Sequence, residues 1–202
     1  MVSSLPWSVL AYLALLAAVG LGRLLELRLS RRHQRALAAR GARRAAEPGF
    51  VFMVALHTGV LVACALEVVL LRRPFSPLLG LPALAAFALA NALRWWVIAT
   101  LGPHWNVQVV GSLQELGVVT GGPYRFVRHP NYVAVFVELV ALPLVHGAWL
   151  TAVVATALHV AVLRSRLAVE EAVLAAHGPY VQAMGGKPRF LPRLRKASWP
   201  TS

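Results

Sequence analysis

The sequence predicts an all-α membrane protein, a polytopic helical bundle of about five transmembrane helices that includes a C-terminal helical hairpin. Of its 202 residues, 58 % are hydrophobic, and the mean hydropathy is +0.66. Soluble domains contain roughly 45–50 % apolar residues. The apolar residues form stretches long enough to cross a bilayer as helices. Arginines cluster between these stretches, as they do in loops that flank membrane spans.

Three spans are predicted in the first half of the chain. They run from Leu5 to about Leu27, from Phe50 to Leu71 and from Leu81 to about Leu101. Residues 1–4 carry no positive side chain. We therefore interpret the first stretch as a retained helix rather than a signal peptide.

Several ionisable residues lie inside these spans, where lipid makes them costly. His57 and Glu67 in the second span are expected to face the bundle. Arg23 and Glu26 lie near the inner end of the first span, where long side chains snorkel or pair. Arg94 in the third span either joins neighbouring tryptophans in an interfacial belt or lines a cavity, and the sequence leaves both interpretations open.

The basic segments predict the orientation. Residues 28–48 contain seven arginines opposed only by Glu47, and the C-terminal tail is also basic. Such segments stay on the cytoplasmic side, which predicts an N-terminus outside and a cytoplasmic C-terminus. The arginine- and alanine-rich composition indicates a bacterial inner membrane. Because the net charge of +13 lies beside the spans, we expect contact with membrane lipids and not with nucleic acid.

The residue inventory also limits the chemistry. The chain has no aspartate, so a metal site built on two carboxylates is not expected, and we predict no metal. A single cysteine, Cys64, excludes an intramolecular disulfide. No glycine-rich G-x-G-x-x-G motif follows a strand, so a Rossmann-type nucleotide domain is not supported.

The second half of the chain predicts a long connection and a hairpin. Residues 102–130 are polar to mixed, and a connection of this length is usually functional or mobile. Residues 131–145 and 148–163 form the predicted arms, separated by a turn at His146 and Gly147. Glu138 falls inside the first arm, where it is costly unless it faces a site or a partner.

The polar run at residues 121–132 ends this connection. Two glycines and a proline mark a turn, and Pro130 suits the first turn of a helix. Tyr124, His129, Asn131 and Tyr132 should therefore converge at a helix start near the membrane edge. Free backbone N–H groups there favour an anionic ligand, although the same residue types also serve as interfacial anchors.

These residues carry a family resemblance. The run GPYRFVRHPNY, followed by Arg166-x-x-x-Glu170-Glu171, by a Gly-Pro-Tyr at 178–180 and by RFLP at 189–192, resembles the isoprenylcysteine carboxyl methyltransferase family. The resemblance covers roughly residues 100–195. The RHPxY run alone also occurs in membrane sterol-type reductases, and its combination with R-x-x-x-E-E is more specific.

The resemblance implies a membrane O-methyltransferase that uses S-adenosyl-L-methionine. Residues 1–202 would form one integral membrane domain, with three spans in 1–100, a cofactor-binding and catalytic half in 101–202, and a cytoplasmic catalytic face. Arg166 and Glu170 would be the catalytic residues, Arg166 holding the acidic oxygen of the substrate. The implied cofactor residues are Leu116, Gly117, Val118, Val119, Tyr124, His129, Pro130, Asn131, Tyr132 and Glu170.

The sequence leaves alternatives open for the methyl acceptor and for the class of function. The acceptor would be prenylated or a lipophilic small molecule, methylated on a carboxylate or on an acidic enol such as that of the lipid-tailed pyrones that bacterial relatives handle. One alternative is a membrane NADPH-dependent sterol-type reductase, with Glu67 or Glu138 as proton donor. Another is a non-enzymatic membrane protein.

Arg166 and Glu170 share a helix face, and an ordinary pair at this spacing would stabilise the helix by only about 0.2–0.5 kcal/mol.

Overall fold

The computed structural model describes residues 5–42, 47, 49–108, 117–176 and 178–192. It is helical, and no strand occurs in the described ranges. The helices are α1 (Trp7–Ala38), α2 (Phe50–Leu70), α3 (Pro77–Leu101), α4 (Pro130–Leu144), α5 (Trp149–Ala175) and α6 (Gly178–Met184). Within the described residues, α1, α2, α3 and α5 are long and apolar enough to cross a membrane. The predicted helical membrane bundle is therefore confirmed.

The C-terminal hairpin forms as predicted, and its first arm is short. Helix α4 has 15 residues, which corresponds to about 22 Å of helix. It lies between α3 and α5 and packs against both. The turn after α4 reaches the α2–α3 connection, since a Cβ on Gly80 would lie 2.6 Å from the Val145 carbonyl oxygen. The hairpin therefore extends to the end of the bundle opposite the start of α4.

Glu67 joins the hairpin to α2. Its carboxylate accepts hydrogen bonds from the backbone N–H groups of Leu150 and Thr151 and from the Thr151 hydroxyl. These donors belong to the first turn of α5, where backbone N–H groups have no partner within the helix. Arg73 pairs with the same carboxylate at 3.1 Å. Glu67 therefore caps α5 and faces the bundle, as expected.

Helix α1 is longer than its predicted span. The sequence analysis ended the first span near Leu27, but the helix continues through the arginines to Ala38. Arginine has a high helix propensity, so the basic residues that end the apolar stretch do not end the helix. On this extension, Ser30 accepts the backbone N–H of Val107, and a His33 ring nitrogen lies 2.8 Å from the Trp105 carbonyl oxygen. The extension thus positions the chain that follows α3.

A buried ionic network joins α1, α3 and α4. Glu26 pairs with Arg23 at 2.7 Å and with Arg94, whose Nε donates to it over 2.9 Å. Arg23 also donates to Glu138 at 2.7 Å. Arg94 is buried, so it lies inside the bundle and not in an interfacial belt. Two arginines and two glutamates leave the network neutral, which is the arrangement that an apolar environment tolerates.

Candidate functional site

The polar run 121–132 is a folded turn that leads into α4. Gly122 has φ +52°, and a Cβ there would overlap the side chain of Thr100 on α3. Glycine is therefore required at this position. A 3-10 turn, Gly122–Arg125, follows. Pro130 occupies the first turn of α4, as the sequence predicts.

The C-terminal segment fixes this turn in place. The backbone N–H groups of Arg128 and His129 donate to the carbonyl oxygens of Pro188 and Arg189, each at 2.9 Å. The Lys187 ammonium donates to the Tyr124 carbonyl oxygen at 2.7 Å. Two motifs that lie some sixty residues apart in the sequence are thus held together by backbone hydrogen bonds.

The Tyr132 hydroxyl connects Arg166 with Glu170. It accepts a hydrogen bond from Arg166 Nε at 3.0 Å and donates to a Glu170 carboxylate oxygen. Arg166 and Glu170 are thus joined through the tyrosine on α4. Because both partners are charged, the two hydrogen bonds are stronger than neutral ones.

Arg166 is held from several directions. Its guanidinium also donates to the Val107 carbonyl oxygen at 2.5 Å and to Met53 Sδ at 3.0 Å. The Glu47 carboxylate lies 3.0 Å from Arg166 Nη1. The cation is therefore held in one orientation beside Tyr132.

His129 lies between the two glutamates of α5. Its Nδ1 is 3.6 Å from Glu170, and its Nε2 is 3.1 Å from Glu171. Glu171 also pairs with Arg189 at 2.5 Å and with Arg128 at 3.3 Å. Glu171 thus ties α5 to the C-terminal segment, whereas Glu170 faces Tyr132.

The remaining predicted cofactor residues have different outcomes. Gly117, Val118 and Val119 precede the turn and are exposed or partly exposed. Leu116 lies outside the described residues. Asn131 follows Pro130 at the start of α4, and its side-chain oxygen is buried without a hydrogen-bond partner in the described structure. Their role in cofactor binding stays a prediction.

Tyr124 and Tyr180 lie near the same carboxylate. Burial, together with the Glu170 carboxylate, raises the pKa of the Tyr124 hydroxyl. Burial raises the pKa of Tyr180 to about 12, so both phenols are neutral donors at physiological pH. The Tyr180 hydroxyl is buried and has no hydrogen-bond partner among the described residues. The predicted site residues omitted Tyr180, although its Gly-Pro-Tyr motif was the available signal.

A cavity of about 350 Å³ begins beside Arg166 and Tyr132 and extends into the bundle. Its lining comes mainly from α1, α2, α4 and α5. Apolar side chains dominate it, among them Leu24, Val54, Leu61, Val135 and Val162. Arg94 also lines this cavity, which was one of the two interpretations of that residue. The rest of the lining was not predicted from the sequence, because four helices from both halves of the chain contribute to it.

The segment that contains this site is similar to known proteins. The sequence model described as "Isoprenylcysteine carboxyl methyltransferase (ICMT) family" matches residues 83–176. This segment is therefore similar to the isoprenylcysteine carboxyl methyltransferase family. It includes the turn, α4 and all of α5, and with them Tyr132, Arg166 and Glu170.

Two bacterial relatives extend the similarity beyond the family segment. The uncharacterised protein YpbQ of Bacillus subtilis is 26 % identical over 161 residues, which cover 79 % of this chain and 94 % of the relative. An uncharacterised protein of Haemophilus influenzae is 28 % identical over 153 residues, which cover 75 % of this chain and 88 % of the relative. The family match and the apolar helices together indicate an integral membrane methyltransferase.

Both glutamates that a reductase mechanism would need have structural partners in the bundle. Glu67 caps α5 at the end of the hairpin away from Tyr132. Glu138 pairs with Arg23 and lies 3.9 Å from Arg94. Both carboxylates are thus already occupied by structural partners within the bundle. These contacts argue against the reductase alternative.

Proposed function

We propose that the protein is an S-adenosyl-L-methionine-dependent O-methyltransferase that methylates a carboxylate or an acidic enol on a lipophilic acceptor. The observation that carries the proposal is the Tyr132 hydroxyl between Arg166 and Glu170. The Arg166 guanidinium is suited to an anionic acceptor, and the Glu170 carboxylate is suited to a cationic methyl donor. Both groups contact the Tyr132 hydroxyl. Tyr132 and Arg166 also line a predominantly apolar cavity.

The residues around Glu170 fit the cofactor. S-adenosyl-L-methionine supplies an electrophilic methyl group on a positively charged sulfur, and it also carries an ammonium group and ribose hydroxyls. Glu170 offers a carboxylate to the positive charge. Asn131 offers an unpartnered side-chain oxygen, and the first turn of α4 offers backbone N–H groups to the cofactor's carboxylate. The residues proposed to hold the cofactor are Glu170, Tyr124, His129, Pro130, Asn131, Tyr132 and the backbone of residues 116–119.

Arg166 is proposed to hold the acceptor's anionic oxygen. A carboxylate is ionised at neutral pH, so its methylation needs no general base. The anion loses charge as it is methylated, so Arg166 acts mainly by binding and aligning the acceptor. Its contacts to Tyr132 and Val107 keep the guanidinium plane in one orientation. The Arg166 side chain is largely buried, and low exposure to water strengthens such contacts.

The location of the site supports separate entry routes. The cavity is predominantly apolar and lies among membrane-spanning helices, so a lipophilic acceptor is proposed to enter from the bilayer. The charged cofactor is proposed to enter from the cytoplasm, where the basic end of α1 places this face. An outside N-terminus, a cytoplasmic C-terminus and a bacterial inner membrane belong to the same proposal, as does a single domain spanning residues 1–202.

Calorimetry of the detergent-solubilised protein tests the cofactor. S-adenosylhomocysteine should bind, and NADPH should not. Glu170→Gln should weaken S-adenosylhomocysteine binding by about tenfold, as expected for a lost hydrogen bond to a charged group. The matched variant Glu171→Gln removes a carboxylate whose partners include Arg189 and Arg128, so its effect should be smaller. Binding of NADPH alone, or unchanged affinity in a monodisperse Glu170→Gln protein, would contradict the proposal.

A further inference from the structure

Two histidines lie in the cavity away from the reacting end. The rings of His57 on α2 and His159 on α5 meet edge to face, with centroids 5.9 Å apart. Both side chains line the cavity. Neither belongs to the motifs around Tyr132, Arg166 and Glu170, and neither has a role in the proposed methyl transfer.

The hydrogen-bonding capacity of this pair is largely unused. His57 Nδ1 lies 2.7 Å from the Met53 carbonyl oxygen. A carbonyl only accepts, so Nδ1 carries the hydrogen, and Nε2 of the neutral ring is left as an acceptor. His159 is only 4 % exposed, and neither of its ring nitrogens has a hydrogen-bond partner among the described residues. A neutral His159 therefore presents one N–H donor and one acceptor.

The charged residues of the cavity wall do not offer the same capacity. Arg23, Glu26 and Arg94 also line the cavity. Each is engaged in the ionic network with Glu138, which ties the charges to one another. The unpartnered polar atoms of the lining therefore form two groups. Asn106 and Asn131 lie on the segments that carry the Arg166 contacts, and His159 lies deeper.

The distance between these two groups of polar atoms can be estimated from the spacing of residues on α5. His159 precedes Arg166 by seven residues, which is about two helical turns or roughly 10 Å along the helix axis. Met53 and His57 face the same two residues from α2, since Met53 contacts Arg166 and His57 contacts His159. A molecule held by Arg166 and extended along the cavity therefore reaches the imidazoles about 10 Å from its anionic oxygen.

We infer that His57 and His159 select a lipophilic acceptor that carries a hydroxyl about 10 Å from the methylated oxygen. The hydroxyl donates to His57 Nε2 and accepts from the N–H of His159. A plain hydrocarbon chain would leave these ring nitrogens unpartnered, which is unfavourable in a buried site. The two histidines are specificity-determining residues, and this inference rests on the proposed function.

The test compares matched fatty acids that place a hydroxyl at different distances. The probes are octadecanoic acid, 10-hydroxyoctadecanoic acid and 2-hydroxyoctadecanoic acid. Binding of each is measured by calorimetry on the solubilised protein saturated with S-adenosylhomocysteine. The wild type should bind the 10-hydroxy acid about tenfold more tightly than the parent acid, as one or two net hydrogen bonds predict. The 2-hydroxy acid, whose hydroxyl stays near Arg166, should show no such preference.

The variants His159→Phe and His57→Phe decide whether the histidines cause the preference. Each should reduce the preference for the 10-hydroxy acid to about twofold or less, and S-adenosylhomocysteine should still bind. Comparing ratios within each protein removes differences in detergent partitioning. Two independent variants keep the test decisive if one of them fails to fold.

The failing outcomes are distinguishable. Cofactor binding with equal affinity for the hydroxy and parent acids would overturn the inference and leave the proposed function in place. Cofactor binding without binding of any acid would overturn the cavity as the acceptor site, and the inference with it. Loss of cofactor binding in the wild type would overturn the proposed function itself.

Discussion

Removing the Tyr132 hydroxyl is the sharpest perturbation of the site. Tyr132→Phe deletes one oxygen atom and leaves the ring, which packs near His129 with a centroid distance of 5.5 Å. That oxygen accepts from Arg166 and donates to Glu170. The substitution therefore disconnects the proposed acceptor-binding residue from the proposed cofactor-binding residue without creating a large void.

The size of the effect follows from the partners that remain. A hydrogen bond to a charged group contributes about 1.5–3 kcal/mol, so two such bonds set an upper limit of about 6 kcal/mol. Arg166 keeps its contacts to Val107 and Glu47, and Glu170 keeps His129 at 3.6 Å. We therefore expect a loss of about 2–3 kcal/mol in stability. A misaligned acceptor should lower kcat/KM by about 10²-fold.

The assay is initial-rate methyl transfer to a lipophilic acid, combined with thermal unfolding in the same detergent. Tyr12→Phe is the matched control, because its buried hydroxyl donates to the Leu142 carbonyl oxygen at 3.0 Å within the core of the bundle. That variant should lose about 1 kcal/mol of stability and lower kcat/KM much less than Tyr132→Phe does. Equal kcat/KM in the two variants would refute the reasoning, since Tyr132 would then contribute only as a core tyrosine does.

Three further predictions concern the acceptor residue and the topology. Arg166→Lys should raise KM for an anionic lipophilic acceptor and lower turnover, so that kcat/KM falls by about 10²-fold. The reason is that lysine cannot hold Tyr132, Val107 and the acceptor together. If the variant instead lost S-adenosylhomocysteine binding and kept acceptor binding, the two proposed roles would have to be exchanged. Glu47→Gln should lower the KM for the acceptor severalfold, because Glu47 lies 3.0 Å from the Arg166 guanidinium and repels an incoming anion. An unchanged or higher KM, measured under the same conditions, would show that Glu47 does not compete with the acceptor for Arg166. Single cysteines at positions 38 and 198 should not react with membrane-impermeant thiol reagents in intact cells. The background protein lacks the buried Cys64. Labelling at either position would contradict the five-span orientation.

Hydropathy and motif spacing account for the elements of the fold. Apolar stretches are sufficient to find the spans because lipid requires nearly continuous apolar helices. They do not set helix ends, which explains why α1 continues past Leu27 into its arginines. The predicted helix start at Pro130 is correct because proline restricts the residue before it and suits the first helical turn.

The contacts inside the site were harder to predict. Arg166 and Glu170 share a helix face, which their spacing indicates, but their link through Tyr132 depends on a helix that lies 34 residues earlier. The pairing of Arg23 with Glu138 joins residues 115 positions apart. The sequence around His159 gives no indication of a binding role. A single histidine in an apolar helix suggests a site only once the structure shows His57 packed against it.

The position of α4 explains how such a small site can be rigid in a bundle of apolar helices. Its start is fixed by the Arg128 and His129 backbone bonds to the C-terminal segment. Its middle is fixed by Glu138 in the ionic network, and its end by the hydrogen bond from Tyr12 to Leu142. Apolar packing against lipid-facing helices permits sliding, whereas directional bonds at three levels do not. Tyr132 is therefore held at one height against α5, and its hydroxyl reaches Arg166 and Glu170 at the same time. Alignment of this kind is the main contribution that a protein can make to a methyl transfer needing no general base.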